Sequence, residues 1–443
     1  VGLFPRDPLR LSRDDCGRQA VLRLLPWLLA ATALLPCAAP AATTETTASA
    51  EETLRATLDA MIAAGELPQA LVLIEQDGKP LIEITTGFAD IERGKPIARD
   101  AIFRLYSMSK PITTVAILQL AEAGKLALDD PIGVYLPELA DLQVWDGTAS
   151  DPVRTVSAER PVTILDLLTH TSGITYEFMG DTPVHRYYRT HGVGRATPVT
   201  SGKSQVSPAG SLDELITRLG KAPLLHQPGD RFSYGFSTTV LGALIEKVSG
   251  ETLDAYFQTH IFDPLEMTDT TFVVSDEKAS RLVVEYSATA QGLKAVDRLE
   301  TSEYRDPARL RDGGGALAGT LEDYRHFAQM LANRGVWHGQ RVLSAASVDA
   351  MFSPRLRTGG GPDLDIPFGL GLGIGDAGTE ARGGVPVGAG SWSGSANSYF
   401  FADPVHKIVT ILMTNELTPG PFMARTWKLR AAIDRATLAM AKR

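Results

Sequence analysis

Cysteine is nearly missing from this 443-residue chain: it has two, Cys16 and Cys37, both close to the N-terminus. Beyond position 37 there is no thiol for disulfides, nucleophilic catalysis or a cysteine-bound zinc. Histidine pairing is missing as well: the eight histidines are scattered, with no H-E-x-x-H or other paired metal spacing. His170 reads as a structural histidine. No G-x-S-x-G turn, the carrier of the α/β-hydrolase serine, occurs. Gly313-Gly314-Gly315 lacks the strand-to-helix setting of a phosphate loop and reads as a tight turn near a cleft. No cofactor and no metal are therefore expected. Positive charge is concentrated nowhere. The 43 Lys and Arg stand against 52 Asp and Glu, a net charge of −9, and no basic block offers a face to nucleic acid. Apolar runs are short too, and none approaches the ~20 residues that span a bilayer.

One of those runs has a recognisable setting. Arg18 and Arg23 precede Leu24 to Leu35, and Ala39-Pro40-Ala41 follows with the small residues of an A-x-A cleavage site. This order reads as an export signal over residues 1–42. It predicts a periplasmic or secreted protein with no stable membrane span after processing. Leu34-Leu35-Pro36-Cys37 loosely fits a lipid-anchor site, although proline beside the cysteine is atypical. Residues 43–52, rich in Thr and Ala, read as a linker.

The remainder, 53–443, has an ordinary globular balance of apolar and charged residues. Glu51 to Ala64 has helical spacing. Two apolar runs, Ala70 to Glu75 and Leu81 to Ile84, flank Asp77-Gly78-Lys79-Pro80 and read as a hairpin. Lys110 to Leu120 is helical, and Gly124 stops it. From about 130 to 290 the pattern is helical patches with little strand alternation, including a polar loop from Gly180 to Gly210. Strand-like runs return at Phe368 to Ile374, Tyr399 to Phe401 and Ile408 to Met413, before a last helix from about Phe422 to Met440. Strands at both ends predict an α+β fold, with one antiparallel sheet closed by the termini and a helical insertion.

Chemistry concentrates at Ser107-Met108-Ser109-Lys110. Residues three apart share a helix face, so hydroxyl and ammonium meet. Serine needs a base beside it. Lysine serves as one only if burial or a cationic neighbour lowers its pKa, and the apolar helix behind Lys110 predicts such burial. Pro111 is tolerated only in a first helical turn, which puts the helix start at Ser107 to Ser109. The Ser107 amide is then free to hold a developing oxyanion. A pattern with two fixed common residues arises by chance about once in such a chain. Ser275-Asp276-Glu277-Lys278 is that second match, and its charged surroundings read as a solvated turn.

Further phrases follow in order. They are Ala121 to Pro131, Leu167-Leu168-Thr169-His170-Thr171-Ser172-Gly173-Ile174-Thr175-Tyr176, Gln227 to Tyr234, and Trp392-Ser393-Gly394-Ser395 with Asp403-Pro404. With the Ser-x-x-Lys element they make the chain, from about Leu54 to Ala436, resemble the serine β-lactamase-like superfamily. Within it the chain resembles the family VIII carboxylesterases, which share the fold of class C β-lactamases and DD-peptidases. The resemblance implies an antiparallel sheet flanked by helices (about 53–125 and 310–443) and an all-helical lobe (about 126–309), with the active site between them. Tyr234 matches the tyrosine of the family's Tyr-x-Asn element, placing it beside Lys110 as a proton relay. Backbone N–H groups of Ser107 and Ser395 are implied as the oxyanion hole, and Tyr176, Phe236, Trp392, Ser393 and Gly394 as substrate-binding positions. The chain departs from β-lactam-recognising members at two of these, with Phe236 replacing an asparagine and Trp392 a lysine. An uncharged aromatic pocket leaves a substrate carboxylate poorly paired, whereas an ester carries no such charge.

The first reading is therefore a serine carboxylesterase acting on small to medium esters through acyl-Ser107, with a small-molecule ester as its partner. A β-lactamase or D-amino peptidase, an acyltransferase using the same residues, and a non-catalytic penicillin-binding-like module remain open beside it.

Overall fold

Side-chain alternation along the central strands decides the architecture. In Gln69–Gln76, Leu71 and Leu73 enter one apolar cluster, while Val72 and Ile74 enter another. Phe400 and Ala402 oppose Tyr399 and Phe401 in the same way along Tyr399–Asp403. Strands apolar on both faces need a layer on each side. The helices Thr47–Ala63 and Met423–Met440 cover one face through Leu54, Leu58, Leu429 and Ile433. Ser109–Glu122 and Leu321–Ala332 belong to the other, through Ile112, Val115, Tyr324 and Phe327. Each such buried side chain is worth roughly 1.5–3 kcal/mol. A one-residue slip would exchange the two sets, so the register is strongly specified.

The computed structural model describes residues 47–149, 152–194, 207, 209–359 and 365–440. The expected export signal, with Cys16 and Cys37, lies outside the described residues, as do part of the Gly180 to Gly210 stretch and Gly360 to Pro362. No helix among the described residues is long and apolar enough to cross a membrane.

The main sheet is antiparallel and has nine strands. Its order is Leu356–Arg357, Pro367–Phe368, Gly373–Ile374, Gly390–Ser393, Tyr399–Asp403, Ile408–Met413, Gln69–Gln76, Lys79–Asp90 and Lys95–Pro96. Sequence-distant ends meet at its centre, where Leu73 pairs with Ile411. The predicted hairpin is present, with Asp77 and Gly78 both at positive φ between its strands. An antiparallel sheet with helices on both faces is the architecture that the resemblance implied.

Four local expectations need correction. The first helix opens at Thr47, inside the segment read as linker. Phe368 to Ile374 is a hairpin rather than one strand, because Gly371, at φ +70, turns the chain beside Thr114. The Gly180 to Gly210 stretch contains the helix Pro183–Thr190, held by buried Val184 and Tyr188. The stretch from 130 to 290 includes strands: Gln143–Trp145 pairs with Thr155–Ser157, and Glu285–Thr289 lies between Gly292–Asp297 and Glu416–Leu417. These strands are short, and their partners come partly from the C-terminal end, so local alternation is weak.

One buried carboxyl gives the fold a pH dependence. Asp434 accepts a hydrogen bond from the Tyr399 hydroxyl at 3.2 Å. Burial pushes its pKa up to about 7, against the Tyr399 hydrogen bond and the Arg430 charge. The folded chain thus keeps a proton that the unfolded chain loses at lower pH. The associated stability is complete below the unfolded pKa and is lost as pH rises through the folded one. Urea-unfolding midpoints should fall from about pH 5 to about pH 8, with a shallower slope in Asp434→Asn. An unchanged slope in that variant would assign the proton elsewhere.

Candidate active site

The chain approaches Ser107 through a constrained turn. Leu105 donates its N–H to the Leu317 carbonyl at 2.9 Å, and Tyr106 follows at φ +47, a left-handed conformation costing a non-glycine residue about 1–2 kcal/mol. Tyr106–Met108 forms a 3-10 turn that runs into the helix Ser109–Glu122. Pro111 is the third residue of this helix, where its missing N–H costs no intrahelical bond. The helix start is pinned from outside: the Tyr324 hydroxyl donates to the Met108 carbonyl at 2.9 Å, and Leu317 N–H donates to Ser109 Oγ at 3.2 Å.

Ser107, half-buried, meets two of the expected groups. Tyr234 donates its hydroxyl to Ser107 Oγ at 2.7 Å, and Lys110 Nζ donates to the same oxygen at 3.1 Å. Lys110 also donates to the Tyr176 hydroxyl at 3.2 Å and to the Gly314 carbonyl at 2.5 Å. An ammonium has three N–H donors, and here each has an acceptor. Burial alone would lower the pKa of Lys110, but Tyr176, Tyr234 and the Asp312 carboxylate raise it, and the net shift is upward. This direction is opposite to the lowering toward neutrality expected of a lysine base. Polar oxygens outweigh the apolar helix behind the side chain.

Spacing along the chain did not reveal two of these partners. Gly314 was read only as part of a turn near a cleft, yet its carbonyl is a direct acceptor for Lys110. Asp312, fully buried, accepts from Gly314 N–H at 2.7 Å through its side chain, and its backbone carbonyl accepts at 3.2 Å from Gly315 N–H, which shares a peptide plane with the Gly314 carbonyl. A Cβ on Gly313 would lie 2.9 Å from Thr113 Oγ1, and one on Gly314 2.7 Å from Thr239 Oγ1. An aspartate leading three glycines was the available signal. Ser275, the second motif match, has no comparable setting: Lys278 turns to the Thr268 carbonyl and to Asp269.

Aromatic rings surround the polar centre. Tyr234 lies 5.4 Å from Tyr176, 5.7 Å from Trp392 and 4.9 Å from His170, between ring centroids. Phe178 stacks on Tyr176 at 5.0 Å. Burial, reinforced by the Lys110 charge, lowers His170 to about 3, so its imidazole is neutral near physiological pH. Phe236 is 1% exposed and packs edge-on behind Tyr176 at 4.5 Å. It presents almost no surface to a substrate, unlike the binding role expected of it.

The strand Gly390–Ser393 brings Trp392 and Ser393, both half-buried, to the same region. It ends in a turn where Gly394 N–H donates to the Ser398 carbonyl at 2.8 Å, leaving Ser395 exposed at its tip. Gly394 lies against the nucleophile turn: a Cβ there would be 2.5 Å from the Leu105 carbonyl oxygen. Among the described residues, neither the Ser107 nor the Ser395 N–H donates to another backbone carbonyl.

The family model described as Beta-lactamase matches residues 54–435. The chain belongs to this family. Protein Rv1367c of Mycobacterium tuberculosis is 33% identical over 361 residues, covering 79% of this chain and 86% of the relative. Esterase EstB of Burkholderia gladioli is 30% identical over 406 residues, covering 87% and 95%. Among solved structures, EstCE1, described as a hydrolase with promiscuous acyltransferase activity, superposes with a TM-score of 0.73 at 25% identity, covering 88% of this chain and 99% of that one. Serine hydrolases and acyltransferases of the β-lactamase fold are thus among its homologues.

The tight approach at Gly394 yields a test. Gly394→Ala should force the strand end away from Leu105 and lower kcat/KM for p-nitrophenyl butyrate by about tenfold to a hundredfold, as misplacements near 1 Å do. Circular dichroism should stay unchanged. Full activity in the variant would show that this approach does not set the site's geometry.

Proposed function

We propose that the protein is a serine carboxylesterase that hydrolyses small to medium carboxylic esters through an acyl-Ser107 intermediate. The observation carrying this reading is the shared contact at Ser107 Oγ, reached by Tyr234 at 2.7 Å and by Lys110 at 3.1 Å.

Lys110, with all three N–H bonds made, is a fixed positive charge rather than the base. Tyr234 then relays the proton. With substrate bound the Ser107–Tyr234 hydrogen bond reverses, so that Ser107 donates. As Ser107 Oγ attacks the ester carbonyl, its proton passes to the Tyr234 oxygen while Tyr234 gives its own proton to the departing alkoxide. Deacylation runs the same relay in reverse, with water giving its proton to Tyr234 and Tyr234 returning one to Ser107. The Lys110 ammonium stabilises negative charge developing around Ser107 and Tyr234, and the Ser107 and Ser395 N–H groups receive the carbonyl oxygen.

Substrate preference follows from the walls. Half-buried Trp392 supplies aromatic surface where β-lactam-recognising members carry a lysine, and Lys110 already has its three acceptors, which favours an uncharged ester over a substrate bearing a carboxylate. An acyltransferase differs only in the acceptor that deacylates the serine. The description of EstCE1 makes that second reading worth carrying.

A series of p-nitrophenyl esters from acetate to octanoate, run beside nitrocefin, tests the assignment. Esters should be turned over well and nitrocefin poorly, and Ser107→Ala should lose a thousandfold or more, of the order seen when a serine nucleophile is removed. Nitrocefin hydrolysis exceeding every ester would make the protein a β-lactamase. Retained ester turnover in Ser107→Ala would place the nucleophile elsewhere. Ester products formed with added alcohol would establish the transferase reading.

A further inference from the structure

Tyr106 sits immediately before Ser107 in a conformation that its own residue type disfavours, so something outside the backbone must hold it. Two contacts do so. Its hydroxyl donates to Glu285 Oε2 at 2.9 Å, and its ring packs with Ala396 and Leu417 in a small separate apolar cluster. Ala396 directly follows Ser395. The same ring therefore touches the turn bearing one candidate oxyanion donor while its backbone leads into the other.

The anchor is itself held firmly. Glu285 is fully buried on the strand Glu285–Thr289, and Leu417 lies on the strand that pairs with it. Beside it, Arg104 binds Asp297 at 2.7 Å, the Val283 carbonyl at 2.8 Å and Ser302 at 3.2 Å. Asp297 takes the direct ion pair with this buried guanidinium, whose charge also favours the ionised form of Glu285. Burial raises Glu285 to about 7, with Arg104 and the Tyr106 hydrogen bond opposing it. Near neutral pH Glu285 is then divided between its protonated and ionised forms, and in either form Oε2 accepts from Tyr106. Its other oxygen, Oε1, has no partner.

We propose that Tyr106 and Glu285 are a pair of positioning residues that hold the Ser107 turn and the Ser395 turn in register for acylation. The proposal rests on the serine-esterase reading above. It assigns a part in the chemistry to residues that touch no substrate.

The test measures kcat/KM for p-nitrophenyl butyrate, the rate of fluorophosphonate labelling and the melting temperature in four variants of the full chain. Tyr106→Phe keeps the ring and loses the hydroxyl, and should lower kcat/KM and labelling together by about tenfold or more. Glu285→Leu should lose the same factor. Glu285→Gln retains a carbonyl acceptor and should recover most of it. In Tyr106→Phe/Glu285→Leu the losses should not multiply, because both substitutions break one interaction. A purely structural role would lower melting temperatures without the rescue by glutamine. Wild-type rates in Tyr106→Phe, Glu285→Gln as slow as Glu285→Leu, or multiplied losses in the double variant would each overturn the proposal. If a leucine variant fails to fold, the comparison of Tyr106→Phe with Glu285→Gln still decides it. Failure of the wild-type protein to be labelled would instead count against the serine-esterase reading.

Discussion

Lys110 buries a positive charge where the nucleophile helix, the Asp312 to Gly315 turn and the Tyr176 segment converge, and the site is arranged around that charge. A buried ammonium without acceptors is strongly disfavoured. Three oxygens meet the requirement here: Ser107 Oγ, Tyr176 OH and the Gly314 carbonyl. Satisfying the ammonium thus fixes the serine hydroxyl, orients a second tyrosine and ties the glycine turn to the helix. Tyr234 also donates to Ser107 Oγ at 2.7 Å, with its ring 4.8 Å from the Lys110 ammonium. In this account the lysine contributes field and geometry, and the phenol moves protons.

The fold delivers these groups from distant parts of the chain. The Ser107 turn precedes a helix in the larger apolar cluster, which takes in one face of the main sheet. Trp392 to Ser395 comes from a strand end in that sheet, and Tyr234 from the turn before the helix Ser237–Ser249. Gly394 lets the strand end reach the Leu105 carbonyl, and Tyr106 bridges the same gap from inside. A glycine on one side and a strained tyrosine on the other keep two turns in contact that would otherwise drift with their separate elements.

Much of this was legible in the residues. Pro111 located the helix start, short apolar runs located the central strands, and Asp77-Gly78 located their hairpin. The several phrases that follow the Ser-x-x-Lys element identified the family. What stayed hidden depends on partners far away in the chain. The upward shift of Lys110 comes from Tyr176, Tyr234 and Asp312, which no local window around Ser107 contains. The three-stranded sheet borrows Glu416–Leu417 from the C-terminal end. Phe236 was expected to line the pocket because of its position in a motif, yet packing places it behind Tyr176. Motif position identifies a residue's neighbourhood, whereas exposure depends on the rings packed around it.

The central claim is that Ser107 becomes covalently acylated. Its most direct measurement is mass spectrometry of the enzyme acid-quenched during turnover of p-nitrophenyl butyrate, followed by peptide mapping. The account predicts one butyryl group on the peptide containing Ser107, and none in Ser107→Ala. A butyryl group mapped to another residue, or none on an enzyme shown to be turning over with rate-limiting deacylation, would contradict it.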